Sequence, residues 1–178
     1  MLKTILQGPP YLIKVEFDKT SNGFIVILPI ASKDDPPCIT SLVCKLEPKD
    51  IADELHWCFW FMIDIDYFSG AKKSFQTQDR ERVKDFIPEH VMKRLFMQVV
   101  REAALKLADY VKPHFIYGVT KETRPTEKQL GKYHMLISSL QKSHGYVVHR
   151  KGTNADDTAF WVLRRTAAKR VSRSAGKK

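Results

Sequence analysis

The sequence FIYGV, at positions 115–119, begins the part of the chain that constrains the architecture most. This short apolar run predicts a strand. Residues 126–144 then carry apolar residues at helical spacing and end at Gly145, a residue typical of a helix C-terminal cap. Two strand-like runs follow, Tyr146–His149 and Thr158–Arg164. The last third of the chain is therefore expected to fold as strand, helix, strand, strand.

The region before position 50 has the pattern of short antiparallel strands. Apolar and polar residues alternate in the first run, turn-forming residues separate it from the second, and the Asp-Asp-Pro-Pro stretch predicts a loop before the third. The predicted elements are a half-buried strand Tyr11–Phe17, a turn at residues 20–23, a strand Phe24–Ile30, a loop Lys33–Pro37 and a strand Ser41–Leu46.

Residues Trp57–Ile65, with the sequence WCFWFMIDI, form an almost unbroken apolar run. Such a strand is typical of the centre of a sheet that is covered on both faces. Residues 67–86 are polar and charged, which predicts an exposed loop with one helical turn.

Two helices are predicted after this loop. Pro88 suits the first turn of a helix whose apolar stripe continues until Pro113. The second helix begins at a capping box made by Thr126 and Gln129.

Together these elements predict an α+β fold with a mainly antiparallel, mixed sheet and two principal helices. The central strand is expected to connect through the long helix to a parallel neighbour near Phe115. Residues 1–165 are predicted to form one domain, and residues 166–178 a basic, disordered tail.

The order of elements over residues 57–165 resembles that of the GNAT superfamily of acyl-CoA N-acyltransferases. In that family the second helix ends in a glycine followed by an aromatic residue, as it does here in Lys142-Ser143-His144-Gly145-Tyr146. The resemblance implies a GNAT-like fold, acetyl-CoA or another acyl-CoA as the cofactor, and a small-molecule or protein amine as the acceptor.

The resemblance also implies where the cofactor binds. The acyl-CoA would enter between the central strand and the strand Phe115–Val119, beside Ile116 and Gly118. The family holds the pyrophosphate with a glycine-rich loop, because backbone N–H groups form an anion site there. The nearest equivalents in this chain are Gly70, Lys72 and Lys73, within Ser69-Gly70-Ala71-Lys72-Lys73, and the turn at Pro88-Glu89-His90.

Four residues are candidates for catalysis. Asp64 and Asp66 end the apolar central strand on the same face, and either carboxylate is expected to act as the base for the amine. Trp60 shares that face and is expected to belong to the core, with the floor of a pocket as the alternative. Tyr133 and His134, on the second helix, are expected to line a cleft.

The pair Asp64 and Asp66 also supports a different enzyme class. Two carboxylates at the end of an apolar strand hold Mg²⁺ or Mn²⁺ in some phosphoryl-transfer enzymes. That hypothesis predicts stabilisation by Mn²⁺, which Asp64→Asn would abolish. The structural alternative is that both residues simply cap the following turn.

The charge of the chain supports a non-enzymatic alternative. Its net charge is +10, and five of the excess charges lie after Arg165. A basic tail of this kind adds affinity for nucleic acid or for an acidic protein partner. The second hypothesis is therefore a non-catalytic basic module, whose binding would weaken when residues 166–178 are removed.

Composition limits the remaining classes. No apolar stretch approaches the length of a membrane span, and the first residues lack the pattern of a secretory signal, so we expect a cytoplasmic protein. The three cysteines, Cys38, Cys44 and Cys58, lack the spacing of a zinc site and are expected to be free thiols. The oligomeric state is left open by the sequence.

Overall fold

The computed structural model describes residues 1–6, 9–75 and 80–166, without the side chains of residues 80, 81, 93, 94 and 121. The described residues form an α+β fold with two long helices and one mixed sheet of nine strands. The strands are β1 (Leu2–Thr4), β2 (Glu16–Asp18), β3 (Gly23–Asp34), β4 (Pro37–Ile51), β5 (Glu54–Tyr67), β6 (Lys72–Phe75), β7 (Phe115–Thr123), β8 (Tyr146–Thr153) and β9 (Thr158–Arg165). The helices are α1 (Arg80–Val83), a π-helical turn (Val91–Leu95), α2 (Phe96–Val111) and α3 (Glu127–His144).

The order of strands across the sheet is β1-β3-β4-β5-β7-β9-β8, with β2 paired to β3 and β6 paired to β5. Every pair is antiparallel except β5 with β7. The predicted central strand, its parallel neighbour and the closing antiparallel pair are therefore confirmed.

Strands β3, β4 and β5 are longer than their apolar runs predict. β3 extends to Asp34 and β4 begins at Pro37, so the predicted loop is reduced to a tight turn. Pro37 is tolerated because it is the first residue of its strand. The predicted loop at residues 67–86 contains its single helical turn as α1, and also β6, which was not predicted. Residues 76–79 lie outside the described part.

The N-terminal segment Tyr11–Val15 differs from its prediction. The residues Tyr11, Ile13 and Val15 are half-buried and pack against the main core, whereas Leu12 and Lys14 are exposed. The alternation is real, but only Glu16–Asp18 pairs with β3. This segment therefore covers the core without joining the sheet.

Both long helices have the ends that the sequence predicts. Thr126 and Gln129 exchange side-chain and backbone hydrogen bonds in a complete capping box, and Gly145 ends α3 with a φ of 68°. The predicted helix from Pro88 to Pro113 includes the π-helical turn before α2. It ends at Lys112, which has a left-handed backbone with a φ of 52°.

The helices of the described residues pack on one face of the sheet. Odd-numbered residues of β5, such as Phe61, Ile63 and Ile65, belong to a core that includes α2 residues Val99 and Leu107. The even-numbered residues point to the opposite face, which we call the open face. Among the described residues the prediction that β5 is covered on both faces does not hold, because both long helices pack on the other face and Cys58, Trp60 and Met62 line a groove.

A second core cluster lies where β7 and β9 meet α2 and α3. It contains Ile116, Leu140, Tyr146 and Leu163, with Trp161 packed against it. Gly118 faces Trp161 across the β7–β9 pair. A Cβ atom at position 118 would lie 2.4 Å from the indole ring, so packing requires a glycine here.

Within the described residues, no helix has the length and apolar character needed to cross a membrane. Apart from Thr166, the predicted basic tail lies outside the described residues.

Gly118→Ala should destabilise the protein by about 1–3 kcal/mol, because the added methyl group overlaps the Trp161 indole. The matched control is Gly131→Ala in α3, where an added Cβ meets no atom within 4 Å. That change should be neutral or stabilise by up to about 1 kcal/mol through helix propensity. Urea unfolding measures both values, and equal stability of the two variants would contradict the predicted packing.

Candidate functional site

The edge of β5 that faces β7 is only partly paired. β7 pairs with Trp57 and Cys58, and β6 pairs with residues 63–66. Between them, residues Phe59–Met62 have no registered partner on this edge among the described residues. Four residues of extended chain span about 13 Å. We call this interval the strand gap.

The strand gap exposes hydrogen-bonding backbone. In an antiparallel pair such as β4–β5, alternate residues direct both their N–H and C=O groups to the partner strand, and the others direct them away. Two of the four residues in the gap therefore present both groups to the side that β7 leaves open. These groups need either water or a ligand.

A groove adjoins the strand gap on the open face. It has a volume of about 370 Å³. Its lining comes from three neighbouring strands: Glu47 and Lys49 of β4, residues from Cys58 to Met62 of β5, and Tyr117 and Val119 of β7. We call this feature the open-face groove. Trp60 therefore lines a pocket, which was the alternative to a place in the core.

Charged side chains hold Trp60 in place. Its indole Nε1 donates a 2.7 Å hydrogen bond to Glu47 Oε2, and the Lys45 ammonium lies 5.1 Å from the ring centre. Lys45 also forms a 2.7 Å ion pair with Asp18. The hydrogen bonds from Lys45 and Thr20 hold the pKa of Asp18 far below its ordinary value. A hydrogen bond and a cation–π contact thus orient the indole, and Glu47 and Lys49 place charge on the wall of the groove.

Cys58 is the one thiol of the three that lines this groove. Burial raises the pKa of Cys58, Lys49 partly offsets that effect, and Glu47 adds to it. Only the thiolate is a strong nucleophile, so this environment disfavours covalent chemistry at Cys58. All three cysteines are free, as predicted.

Asp64 is buried, and each of its two carboxylate oxygens has a partner. Ser74 Oγ donates a 2.7 Å hydrogen bond to Oδ1, and Lys72 Nζ lies 2.8 Å from Oδ2. The hydrogen bond to Asp64 is the largest influence on Lys72 and raises its pKa. Asp66 is half-exposed and lies 3.6 Å from the same ammonium group. Both partners of Asp64 come from β6.

This ion pair bears on the metal hypothesis. Lys72 supplies beside Asp64 the positive charge that a divalent cation would supply. The described residues also contain no group of three or more His, Cys, Asp or Glu side chains arranged to hold a metal. Metal binding by Asp64 and Asp66 stays a prediction of the sequence.

Of the residues chosen as equivalents of a glycine-rich loop, Gly70 lies in the turn between β5 and β6, and Lys72 and Lys73 begin β6. Gly70 has a φ of 87° and closes this turn with a hydrogen bond to Tyr67. The Lys73 ammonium lies 5.7 Å from the centre of the Tyr67 ring. β6 follows this turn directly, so Gly70, Lys72 and Lys73 are placed in a hairpin and not at the start of a helix.

Ile116 and Gly118 lie on the helix-covered face of β7. Ile116 is buried and pairs with Trp57, and Gly118 lies against the Trp161 ring. Both residues are therefore part of the packed core on that face. The residues of β7 that face the open-face groove are Tyr117 and Val119.

Tyr133 and His134 belong to a different surface from Asp64 and Asp66. The Tyr133 ring packs on Trp161, with 4.9 Å between ring centres. Its hydroxyl donates a 3.2 Å hydrogen bond to Glu122 Oε2. His134 is exposed beside a second groove between α3 and the β8–β9 hairpin. The four candidate catalytic residues are therefore divided between the two faces of the sheet.

Glu122 is a partly buried carboxylate that the sequence analysis missed. Lys132 Nζ lies 2.8 Å from its Oε1 atom. Burial is the largest influence and raises the pKa of Glu122, but hydrogen bonds from Lys132, the backbone and Tyr133 outweigh it and lower the pKa overall. The spacing of Glu122, Lys132 and Tyr133 gives no local signal, because they meet only when α3 packs against β7.

Comparisons of the chain with protein-family models, with curated proteins and with solved structures find no match. The relationship to acyl-CoA N-acyltransferases therefore stays a prediction.

Glu122→Gln should lower the free energy of unfolding at pH 7 by about 1–2 kcal/mol, because it removes a charge-assisted hydrogen bond. The folded pKa of Glu122 lies below the ordinary value of 4.5. Its contribution should therefore be complete above about pH 4.5 and should disappear as the pH falls through the folded pKa. Urea unfolding between pH 7 and pH 2 measures this difference.

The control for this change is Glu54→Gln, because Glu54 is exposed and its carboxylate contacts no cation among the described residues. Its stability should follow that of the original protein at each pH. A Glu122→Gln difference that does not depend on pH would contradict the ion pair.

Proposed function

We propose that the protein binds an acyl-CoA in the strand gap and transfers the acyl group to an amine. The observation that carries this proposal is the separation of β5 and β7 after two residue pairs. The crevice outside the carboxyl ends of parallel strands is a common place for ligands in sheets of this kind. Acyl-CoA fits the resemblance in the order of elements over residues 57–165.

The backbone of the strand gap suits the pantetheine arm of CoA. This arm is extended and carries two amide groups, and the gap offers two residues with both a free N–H and a free C=O. An extended ligand that pairs with a strand edge gains main-chain hydrogen bonds as an added strand does. The aromatic and sulfur side chains of the adjoining groove offer apolar contact for the acyl group.

We place the phosphate groups of the cofactor at the end of the strand gap near Met62, away from the two residue pairs that join β5 to β7. The thioester would then point toward the closed end of the gap, at Cys58 and Tyr117.

This orientation changes the assignment of the acid and the base. Eight residues separate Cys58 from Asp66, which is about 26 Å of extended strand. The groups near the thioester are instead Glu47 and Tyr117, which both line the open-face groove. In the proposed reaction Glu47 takes a proton from the ammonium group of the substrate, and the neutral amine attacks the thioester carbonyl carbon. The C–S bond breaks as Tyr117 protonates the leaving thiolate, and the tyrosinate takes back a proton from the nitrogen, which leaves a neutral amide and free CoA thiol.

Acyl-CoA is an intracellular cofactor, so this proposal includes the cytoplasmic location predicted from the sequence. The alternative of a nucleic-acid-binding module rests on the basic tail, which lies outside the described residues. It therefore stays a prediction.

Acetyl-CoA or a longer acyl-CoA should raise the thermal midpoint of the full-length protein. At 100 times its dissociation constant, a ligand adds about 2.7 kcal/mol, which corresponds to about 5–10 °C for a domain of this size. Val119→Trp should abolish the rise, because the indole fills the open-face groove. The matched control is Val147→Trp in β8, whose valine is similarly exposed (37% against 36%) but lies outside that groove. It should retain the full rise.

Catalysis is tested on the same samples by the release of free CoA thiol with a panel of amines. Glu47→Gln should keep the rise in midpoint and release CoA more slowly. If no acyl-CoA changes the midpoint, the proposal is wrong, and binding of nucleic acid at two salt concentrations becomes the next test.

A further inference from the structure

A second groove lies between α3 and the β8–β9 hairpin, on the helix-covered side of the sheet. Its volume is about 510 Å³, within the range of about 300–1,000 Å³ that is common for small-molecule sites. Trp161 and Tyr133 form its aromatic floor, with Leu130 and Ile137 beside them. Trp161, Leu130 and Ile137 are only half-buried, although each is large and apolar. We call this feature the α3 groove.

The α3 groove has an apolar end and a polar end. α3 ends at Gly145, and β8 begins directly after it and runs antiparallel to the helix. The distance of a residue from Gly145, measured along its own element, therefore gives its level in the groove. A helix rises about 1.5 Å per residue and a strand about 3.3 Å. Val148 then lies level with Ile137, about 10–12 Å from Gly145, and Lys151 lies near the level of His134, about 16–20 Å from it.

The polar end carries two basic side chains that have no partner among the described residues. Lys151 and His134 are exposed, and neither forms a hydrogen bond or an ion pair with the described residues. Lys132, two residues before His134 and outside the groove lining, is by contrast paired with Glu122. Glu127, the acid that lines this groove, lies about 10 Å before His134 along the helix axis and about 7 Å beyond the level of Lys151.

Gly131 is a glycine in the interior of α3 that packing does not explain. An added Cβ atom would meet nothing within 4 Å, and alanine there would favour the helix. Gly131 lies four residues after Glu127 and three before His134, so it shares their side of the helix. The absence of a side chain leaves the helix backbone open to close approach at the rim of the groove.

We propose that the α3 groove binds an amphipathic organic carboxylate, with an aromatic or aliphatic body on Trp161 and the carboxylate at Lys151 and His134. A cationic ammonium and an imidazole at one end select an anionic head group. The apolar floor toward Val148 and Ile137 selects the body. This site does not depend on acyl-CoA in the strand gap, since the two grooves lie on opposite faces of the sheet.

The test compares three ligands that share one body and differ in the charge of the head: 4-phenylbutyrate, 4-phenylbutan-1-ol and 4-phenylbutylamine. NMR titration of the full-length protein should show saturable shifts of the Trp161 indole N–H with the carboxylate, with a dissociation constant near or below about 1 mM. The indoles of Trp57 and Trp60, which lie elsewhere, are internal references. The alcohol should bind more weakly and the amine most weakly.

Three variants complete the test. Lys151→Gln should weaken binding of the carboxylate about five- to tenfold and leave the alcohol unchanged. Lys142→Gln, an exposed lysine outside this groove, should change neither. Gly131→Leu should block all three ligands while the thermal midpoint stays equal or rises, which separates lost binding from lost folding.

The proposal is overturned if none of the three ligands saturates, or if the amine binds most tightly. It is also overturned if Gly131→Leu binds the carboxylate as well as the original protein does.

Discussion

The two halves of the sheet are joined by only two parallel residue pairs, Trp57 with Ile116 and Cys58 with Tyr117. A parallel pair requires a crossover connection, and here α2 provides it while packing beneath both halves. Phe59 contacts both core clusters. Apolar packing on the covered face therefore holds the two halves of the sheet together where hydrogen bonds between the strands are missing. Because the joint is short, β5 keeps an unpaired edge next to a groove on its uncovered face.

The sequence predicts the elements that local chemistry determines. The capping box at Thr126, the C-terminal cap at Gly145 and the apolar run of β5 depend on residues near each other in the chain, and all three are found. β6 (Lys72–Phe75) was missed because a mostly polar strand at a sheet edge has no apolar pattern. The single covered face was also missed, since one strand does not reveal which layers are present around it.

The site was less predictable than the fold, because its groups meet through tertiary contacts. The period of a strand correctly placed Asp64 beside Trp60 on one face. It could not show that Lys72 and Ser74 would satisfy the Asp64 carboxylate. The helical position of Tyr133 was correct, but its link to Glu122 depends on the packing of α3 against β7. The unpaired N–H and C=O groups of the strand gap can be identified only when the register of β5 with β6 and with β7 is known.

Hydrogen exchange of the backbone amides in residues 57–66 measures the strand gap most directly. With a partner on one edge alone, residues Phe59–Met62 should contain two slowly exchanging amides directed to β4 and two rapidly exchanging ones directed to the gap. Saturating acyl-CoA should slow the rapid pair specifically. Four slow amides in the free protein would show that the edge is already occupied, and would contradict both the strand gap and the function proposed for it.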